Sequence, residues 1–570
     1  MILQALYDYY KRCDNLPTFG LEQKEIGFLI VIDRNGNFIR FEDRRINNKE
    51  AQVFLVKKHV GRSSAPAANY LYDNAAYVLG VSDKEDADKY YNTFKKGIEE
   101  IYLAHPTNDT IKAVRLFYLH EHTAIIESIQ QDSLWEDIRK NLNKKYSIFS
   151  FLIEGESEIA ATNKELLSTP DVTQKEGYSI CLVSGEKGRL VETTTATMIQ
   201  GSQATAKLVS FQIKSGYDSY GKEKGNNAPI SEKAEFAYTT ALNHMLGTKS
   251  KNKFLIGTRT FLFWASRDDE AGKKVEESIF DLFGFNNAED DPNRKIEQVR
   301  IVFRAIYSGA LHTSLEDKFY ILGLAPNSAR IAVVYWAEIP LFEFATRINK
   351  HFEDMEVVDT RKERKPYYDL RSIISTVTLG GKVSDATPNL ADAVVKSIFE
   401  GLPYPQTLYA SCIRRIRAES SDKDKNPVNI TRAAIIKAHL NRLINNQQNI
   451  SVMIDKDNNN QGYLCGRLFA TFEKIQEEAN GQHSIRERYM NAASATPSTV
   501  FATIFNLSAH HAENLNEGRR IFFEKLKQEI LDKISADGFP AHLDLQDQGR
   551  FFVGYYQQRQ DFFTGKDKEN

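Results

Sequence analysis

The sequence predicts an α+β multidomain protein, with a mixed α/β N-terminal region containing hairpins followed by an all-α C-terminal helical bundle. Up to about residue 386, short runs of apolar residues alternate with turn residues. After residue 387 apolar residues recur only at helical spacing. A chain of 570 residues also exceeds what one hydrophobic core usually supports, so two or more domains are expected.

Hairpins are the clearest local signals in the N-terminal region. Segments 26–33 and 37–41 flank Asn35-Gly36, a dipeptide typical of tight hairpin turns. A second hairpin is expected where 325–329 joins two apolar runs. The other predicted elements are helices at 2–10 and 84–119, interrupted near His105-Pro106, and strands at 52–56, 178–183, 207–213, 319–324 and 330–336.

Helices are predicted for most of the C-terminal part, first at 389–401, 407–417 and 428–446. The polar segment 455–462 then precedes amphipathic helices, one of which is expected to begin with Pro497 at its first position. We therefore divide the chain into regions 1–386, 387–452 and 453–570.

Composition favours a cytoplasmic protein. No run of 18 apolar residues occurs, so no membrane span is expected. The first residues lack the basic segment and cleavage site of a secretory signal. The four cysteines are Cys13, Cys181, Cys412 and Cys465. Because they show no paired spacing, we expect neither a zinc ribbon nor an oxidising compartment.

No catalytic motif stands out, so we expect a protein that is not an enzyme and needs no metal or cofactor. His120-Glu121-His122 has the wrong spacing for a helical metal site, and Gly380-Gly381-Lys382 lacks the rest of a phosphate-binding loop. Segment 455–466 begins like a calcium loop but lacks its glycine and final glutamate. A dispersed acidic nuclease site stays open as an alternative.

The segment 206–247 is the most informative part of the chain. A predicted strand leads into a glycine-spaced loop, which closes on Asn226 and Asn227 before a helix begins near Ser231. Glycines permit close approach to a ligand, lysines neutralise phosphates, and asparagine and tyrosine can contact bases. An ordinary polar turn is the alternative. The large side chains of the loop are Lys214, Tyr217, Tyr220, Lys222 and Lys224.

Positive charge is local in this chain, whose net charge is −2. Segment 403–449 has an excess of five positive charges and segment 361–382 an excess of four. Such patches fit a subunit that presents one basic face while the rest contacts protein, although a solvated charge run is equally compatible.

The stretch 210–246, SFQIKSGYDSYGKEKGNNAPISEKAEFAYTTALNHML, resembles the signature of the large subunit of the type I-C CRISPR surveillance complex, Cascade. Further blocks resemble the same family in the same order, so the resemblance spans the chain, with only a loose match over 247–401. These blocks are 1–20 (MILQALYDYYKRCDNLPTFG), 61–80 (GRSSAPAANYLYDNAAYVLG), 463–479 (YLCGRLFATFEKIQEEA) and 550–563 (RFFVGYYQQRQDFF).

The resemblance implies a non-catalytic subunit that binds the 5′ end of the guide RNA and the other Cascade subunits, both the backbone subunits and those that bind the guide ends. It also implies recognition of the protospacer-adjacent motif (PAM) in double-stranded target DNA, duplex opening, and recruitment of a helicase-nuclease. Region 1–386 would then recognise the PAM. The alternatives are a stand-alone nucleic-acid-processing nuclease and a scaffold without DNA contact.

Three sets of site residues follow. In the first, Lys214, Tyr220, Lys222, Asn226 and Asn227 approach the PAM duplex. In the second, Arg62, Ser63, Ser64 and Asn74 lie beside the duplex, with Asp73 as either a helix cap or a partner of Arg62. The third set lies along the displaced strand, with subunit docking or intramolecular salt bridges as the alternative; it comprises Arg414, Arg415, Arg417, Arg432 and Arg442.

The last prediction concerns a small subunit. The resemblance implies that the C-terminal region is also made separately from an internal translation start. Met453 precedes every helix of the predicted bundle, whereas Met490 would discard one wall of its core. Met453 could equally be an ordinary apolar residue, and a start codon other than methionine is also possible.

Overall fold

The computed structural model of the chain describes residues 1–60, 65–82, 87–167, 178–197, 199–211, 220–247, 250–256, 258–282, 292–360, 369–443 and 449–564. In chain order the strands are β1 (Leu21–Glu25), β2 (Phe28–Ile32), β3 (Phe38–Asp43), β4 (Val53–Lys57), β5 (Tyr72–Asn74), β6 (Ile148–Ile153), β7 (Tyr178–Ile180), β8 (Lys187–Arg189), β9 (Lys253–Ile256), β10 (Arg259–Ala265), β11 (Lys318–Asn327) and β12 (Arg330–Pro340).

The helices follow the same numbering. They are α1 (Ile2–Arg12), α2 (Ala75–Val78), α3 (Ala87–Ala104), α4 (Asp109–Leu119), α5 (His122–Gln130), α6 (Trp135–Lys140), α7 (Lys164–Leu167), α8 (Glu232–Leu246), α9 (Glu270–Leu282), α10 (Pro292–Tyr307), α11 (Leu341–Met355), α12 (Leu370–Ser375), α13 (Pro388–Glu400), α14 (Gln406–Glu419), α15 (Ile430–Asn441), α16 (Gln461–Asn480), α17 (Ser484–Ala493), α18 (Pro497–Ala512), α19 (Glu517–Leu531) and α20 (Leu545–Thr564).

The predicted fold class is confirmed. Among the described residues, strands occur only up to Pro340 and helices account for the regular structure beyond it. Both predicted hairpins form, as β2–β3 and as β11–β12. Helix α18 begins at Pro497, as predicted. The predicted strand 207–213 was wrong over residues 207–211, because this segment meets the sheet only through one bridge between Lys207 and Arg330.

The chain divides into two compact units. One unit comprises 13–192 and 219–240 and contains a four-stranded sheet in the order β3-β2-β6-β5. Strand β2 pairs with β3 antiparallel and with β6 in parallel, and all five of its residues are buried. Gly36, in the β2–β3 turn, has a φ of +81° and lies against the backbone of Phe117, so a side chain would clash there.

The other unit comprises 1–12, 193–218 and 241–570. Its antiparallel sheet has the order β12-β11-β10-β9, and aromatic contacts connect this sheet to the helices. Phe319 of β11 stacks on Phe344 of α11 with 4.5 Å between ring centroids, and Phe344 in turn contacts Phe399 of α13 at 5.4 Å. One hydrophobic cluster therefore joins the sheet to the helices, from Phe254 to Tyr556.

Within the described part of the chain, no helix is long and apolar enough to cross a membrane.

Candidate nucleic-acid interface

The loop before α8 packs against the segment that follows β8. Lys224–Asn227 forms one turn of 3-10 helix, in which Gly225 is buried. The backbone of Gly225 packs closely against the backbone of Val191. A Cβ at Gly225 would stand 3.1 Å from the carbonyl carbon of Val191 and closer still to its oxygen. Only glycine allows this approach, so the backbone of the loop is fixed against residue 191.

Two polar side chains of the same loop bond to nearby protein groups. Lys224 Nζ donates to Glu192 Oε2 at 2.6 Å, and this carboxylate raises the pKa of Lys224. The Asn227 side-chain amide donates to the carbonyl oxygens of Lys222 and Lys224 at 3.0 and 3.1 Å. Lys224 and Asn227 therefore stabilise the loop conformation.

Other side chains of the loop point to solvent. Tyr220 is 100% exposed, although its φ of +54° is uncommon for a residue with a side chain. Lys222 and Asn226 are exposed as well. The Asn226 amide makes no hydrogen bond to any residue in the described ranges. The loop thus presents an aromatic ring, an ammonium group and an amide on a constrained backbone.

The end of the loop, at Ser231, is hydrogen-bonded to a cysteine that the sequence did not assign to this site. The buried Cys181 Sγ accepts backbone N–H donors from Val183, Ser184 and Ser231 at 3.4, 3.5 and 3.2 Å. Burial raises the pKa of this thiol, but the N–H donors from Ser231 and Ser184 outweigh it and lower the pKa to about 7. Since Cys181 and Ser231 are far apart in sequence, no local motif could have indicated the contact.

Asn74 occupies a second polar site in the same unit. Its side-chain oxygen caps α2 by accepting from the N–H groups of Ala76 and Tyr77. Asp73 is buried and accepts from the N–H of Asn69 at 2.9 Å, so the helix cap is Asn74 and not Asp73. Arg62, Ser63, Ser64 and Lys214 lie outside the described residues.

A cleft of about 490 Å³ opens beside Asn74. Its polar lining includes the exposed Lys144 and Lys145, of which Lys145 is 3.4 Å from Glu25. Tyr77 and Tyr90 form an aromatic pair on its wall, with 4.9 Å between centroids. Lys144 and Lys145 come 70 residues after Asn74, which is why the sequence did not connect them with it.

The predicted arginine row is mostly engaged inside the protein. Arg432 is buried and donates to Glu419 and to the carbonyl oxygens of Thr376 and Pro427. Burial raises the pKa of Glu419, but Arg432 and Arg415 outweigh it and lower that pKa. The intramolecular salt-bridge alternative therefore describes Arg432 and Arg415.

Arg442 is engaged in the same way. It donates to Asp354 at 2.6 Å and to the carbonyl oxygens of Ser397 and Leu402. Arg417 is partly buried, and burial lowers the pKa of its guanidinium group. Arg414 differs from the other four arginines, because it is exposed and, within the described part of the chain, its guanidinium donates only to Ser411 Oγ, at 2.8 Å.

Met453 lies in an exposed segment before α16, with 59% of its surface accessible. Gln557 of α20 donates to the carbonyl oxygen of Ser451 at 2.8 Å, and Tyr463 Oη accepts from the N–H of Asp455 at 3.0 Å. A product starting at Met453 would keep α16–α20 but lose α15, against which α20 packs. Such a product would expose an apolar face that a partner would need to cover.

Expression of the native gene is expected to yield a second, shorter product that begins between Ile450 and Gly462. The family resemblance implies such a product, and a start at Met453 would retain all five helices from α16, which begins at Gln461, onward. Intact-mass measurement of the purified protein tests the start site, and the Met453→Leu variant should remove the product if Met453 is the start codon. Expression without any product beginning in this segment would contradict the assignment.

No cluster of three or more histidine, cysteine, aspartate or glutamate side chains is arranged to hold a metal ion within the described ranges. The two polar sites are therefore the loop that exposes Tyr220, Lys222 and Asn226, and the cleft lined by Asn74, Lys144 and Lys145. A family model described as CRISPR-associated protein (Cas_Csd1) matches residues 6–563. The chain belongs to that family. A search of curated proteins found no match to this chain.

Proposed function

We propose that this CRISPR-associated protein is the large subunit of a type I-C Cascade complex, and that it recognises the PAM in double-stranded DNA and promotes duplex opening. It acts without catalysis of its own, in the cytoplasm. Its partners in this role are the guide RNA, the other Cascade subunits, a small subunit from the C-terminal region and a helicase-nuclease. Family membership supports the CRISPR assignment.

The observation that supports DNA recognition is the constrained loop 220–231. Gly225, Lys224 and Asn227 fix its backbone, while Tyr220, Lys222 and Asn226 remain exposed. A preorganised loop loses little conformational entropy when it binds. In this proposal Asn226 reads a base edge, Lys222 neutralises a phosphate and Tyr220 stacks at the first base step.

Asn226→Ala is expected to weaken binding to the preferred PAM by about 1–3 kcal/mol and to relax discrimination at one position, because an amide that reads a base edge is lost. Lys222→Ala should weaken binding to every sequence and reduce the salt dependence by about one phosphate contact. The measurement is binding of the assembled complex to a duplex library with a randomised PAM.

Asn92→Ala is the matched control, since Asn92 is an exposed asparagine of α3 in the same unit. Unchanged PAM preference and affinity in Asn226→Ala would remove Asn226 from the site. A metal-dependent cleavage assay on the purified chain separates this proposal from the nuclease alternative, because cleavage that persists at high purity would favour the enzyme.

A further inference from the structure

A groove between α10 and α11 combines exposed aromatic rings with positive charge. Arg300, Arg304 and Tyr307 line it from α10, at helical positions that share one face. Thr346, Asn349, Lys350, Phe352 and Glu353 line it from α11. Its volume is about 350 Å³. Three cationic side chains thus face the groove, against one carboxylate.

An aromatic pair adjoins the groove, which it reaches through Tyr307. Tyr307 stacks on Phe342 of α11 with 6.2 Å between centroids and 10° between ring planes. Tyr307 is 59% exposed and Phe342 is 48% exposed. Large aromatic rings usually bury most of their surface, so an exposed parallel pair offers a face on which another flat ring can stack.

The walls of the groove are fixed by the core beneath it. Asn349 Nδ2 donates to the carbonyl oxygen of Phe303 at 3.0 Å, which ties α11 to α10. Below this bond, the buried rings of Phe303 and Phe344 contact edge to face at 6.1 Å. Because both helices are held in this way, the backbone positions that carry Tyr307, Phe342 and Arg304 are fixed relative to one another.

The charges of the groove differ in how they are compensated. Arg300 lies 3.9 Å from Glu356 and 5.8 Å from the Phe352 ring, and Lys350 lies 2.9 Å from Asp354. Arg304 is exposed and forms no ion pair with any residue in the described ranges. An exposed, uncompensated guanidinium one helical turn from an exposed tyrosine suits a phosphate followed by a base.

We infer that this groove binds single-stranded nucleic acid, with a base stacked on the Tyr307–Phe342 pair and a phosphate on Arg304. A duplex cannot satisfy both groups, because its bases are already stacked on one another. The inference does not depend on PAM recognition by loop 220–231. Displaced DNA and guide RNA share the required chemistry, so both are tested.

The test uses the purified full chain and fluorescently labelled oligonucleotides of about 15 nucleotides, oligo-dT for DNA and oligo-rU for RNA. The double variant Tyr307→Ala with Phe342→Ala should lose about ten-fold or more in affinity for the preferred oligonucleotide, because stacking is lost. Arg304→Ala should weaken binding and reduce the slope of log affinity against log salt by about 0.7, the value for one single-strand phosphate.

Two further variants keep the outcome interpretable. Tyr307→Phe retains the ring and should bind like the wild type. Phe522→Ala is the matched control, since Phe522 is an exposed aromatic residue with Arg519 4.6 Å from its ring centre but lies on α19. Tighter binding of oligo-dT identifies a DNA strand as the ligand, and tighter binding of oligo-rU identifies RNA.

Equal affinity of the double variant and the wild type for both oligonucleotides would overturn the inference, as would a wild type that binds neither. A double variant that binds oligonucleotides normally but no longer assembles with other subunits would assign the groove to a protein partner instead. No duplex is used, so these results stand whether or not Asn226→Ala changes PAM preference.

Discussion

Gly466→Ala is expected to destabilise the C-terminal helices by about 3 kcal/mol, although alanine is normally the better helix former. A Cβ on Gly466 would stand 2.9 Å from the backbone nitrogen of Tyr555 and closer still to the carbonyl oxygen of Phe551. Both atoms belong to the backbone of α20, which cannot rotate away as a side chain can. The two helices would therefore have to separate.

The close approach extends along both helices. Gly462 of α16 lies against the backbone of Asp547, and Gly554 of α20 lies against the backbone of Tyr463. Glycines on both partners thus allow α16 and α20 to pack at unusually short range. If α16 and α20 moved apart, the side chains packed between them around these glycines would lose buried contacts.

Hydrogen exchange of the full chain measures the effect directly. In Gly466→Ala, peptides covering 461–480 and 545–564 should lose protection relative to the wild type. Gly518→Ala in α19 is the matched control, because a Cβ there meets only Asn516 Oδ1 at 3.6 Å. That variant should be neutral or slightly more stable. Unchanged protection in Gly466→Ala would contradict the packing argument.

The same helix pair shows what sequence alone can and cannot predict. Segments 463–479 and 550–563 resemble one family as two separate blocks; apolar periodicity predicted a helix for the first, and the second was expected only as part of the C-terminal helical bundle. The structure shows that they lie in α16 and α20, which pack on each other. Local spacing predicts a helix, but the partner of that helix is set by side chains distant in sequence.

Charged residues show the limit most clearly. Arg432 and Arg442 were expected along the displaced DNA strand, because helical arginines can follow a phosphate backbone, with intramolecular salt bridges as an alternative. Their partners, Glu419 and Asp354, lie on other helices, so the burial of these arginines depends on the tertiary fold. Hairpin β2–β3, in contrast, was predictable, since its Asn35-Gly36 turn and the apolar runs that flank it act locally.

The sequence singled out Lys214, Tyr220, Lys222, Asn226 and Asn227 in the candidate DNA loop, but it did not show which of these side chains the fold engages. Its lysines and asparagines look equivalent in sequence. In the structure, Glu192 engages Lys224, and backbone carbonyl groups engage Asn227, while Lys222 and Asn226 remain exposed. The engagement of Lys224 depends on Glu192, more than 30 residues upstream, and no spacing rule connects Glu192 with the loop.

The buried carboxylate of Glu473 in α16 concentrates charge inside the C-terminal helices. It accepts a hydrogen bond from Tyr555 Oη, and its oxygens lie 3.4 Å from His483 Nδ1 and 3.6–3.7 Å from Arg559 and Arg486. Burial raises the pKa of Glu473, but His483, Arg559, Tyr555 and Arg486 together outweigh burial. The pKa therefore lies below its ordinary value of 4.5.

Glu473→Gln is expected to destabilise these helices by about 3 kcal/mol, because it keeps the shape of the side chain but leaves Arg486 and Arg559 without their central anion. Glu524→Gln is the matched control. Glu524 pairs with Lys527 at 2.6 Å but is 57% exposed, so its loss should cost less than about 1 kcal/mol. Urea unfolding followed by far-ultraviolet circular dichroism measures both.

The lowered pKa of Glu473 also predicts how the stability of these helices changes with pH. A carboxylate whose pKa is lowered in the folded state contributes full stability above its unfolded pKa, near 4.5, and loses that contribution as the pH falls through the folded pKa. The wild type should therefore lose more stability than Glu473→Gln between about pH 4.5 and 3.5, and the difference between the two should narrow. A difference in unfolding free energy that stays constant from about pH 7 to 3.5 would show that Glu473 is not the charged centre of the cluster.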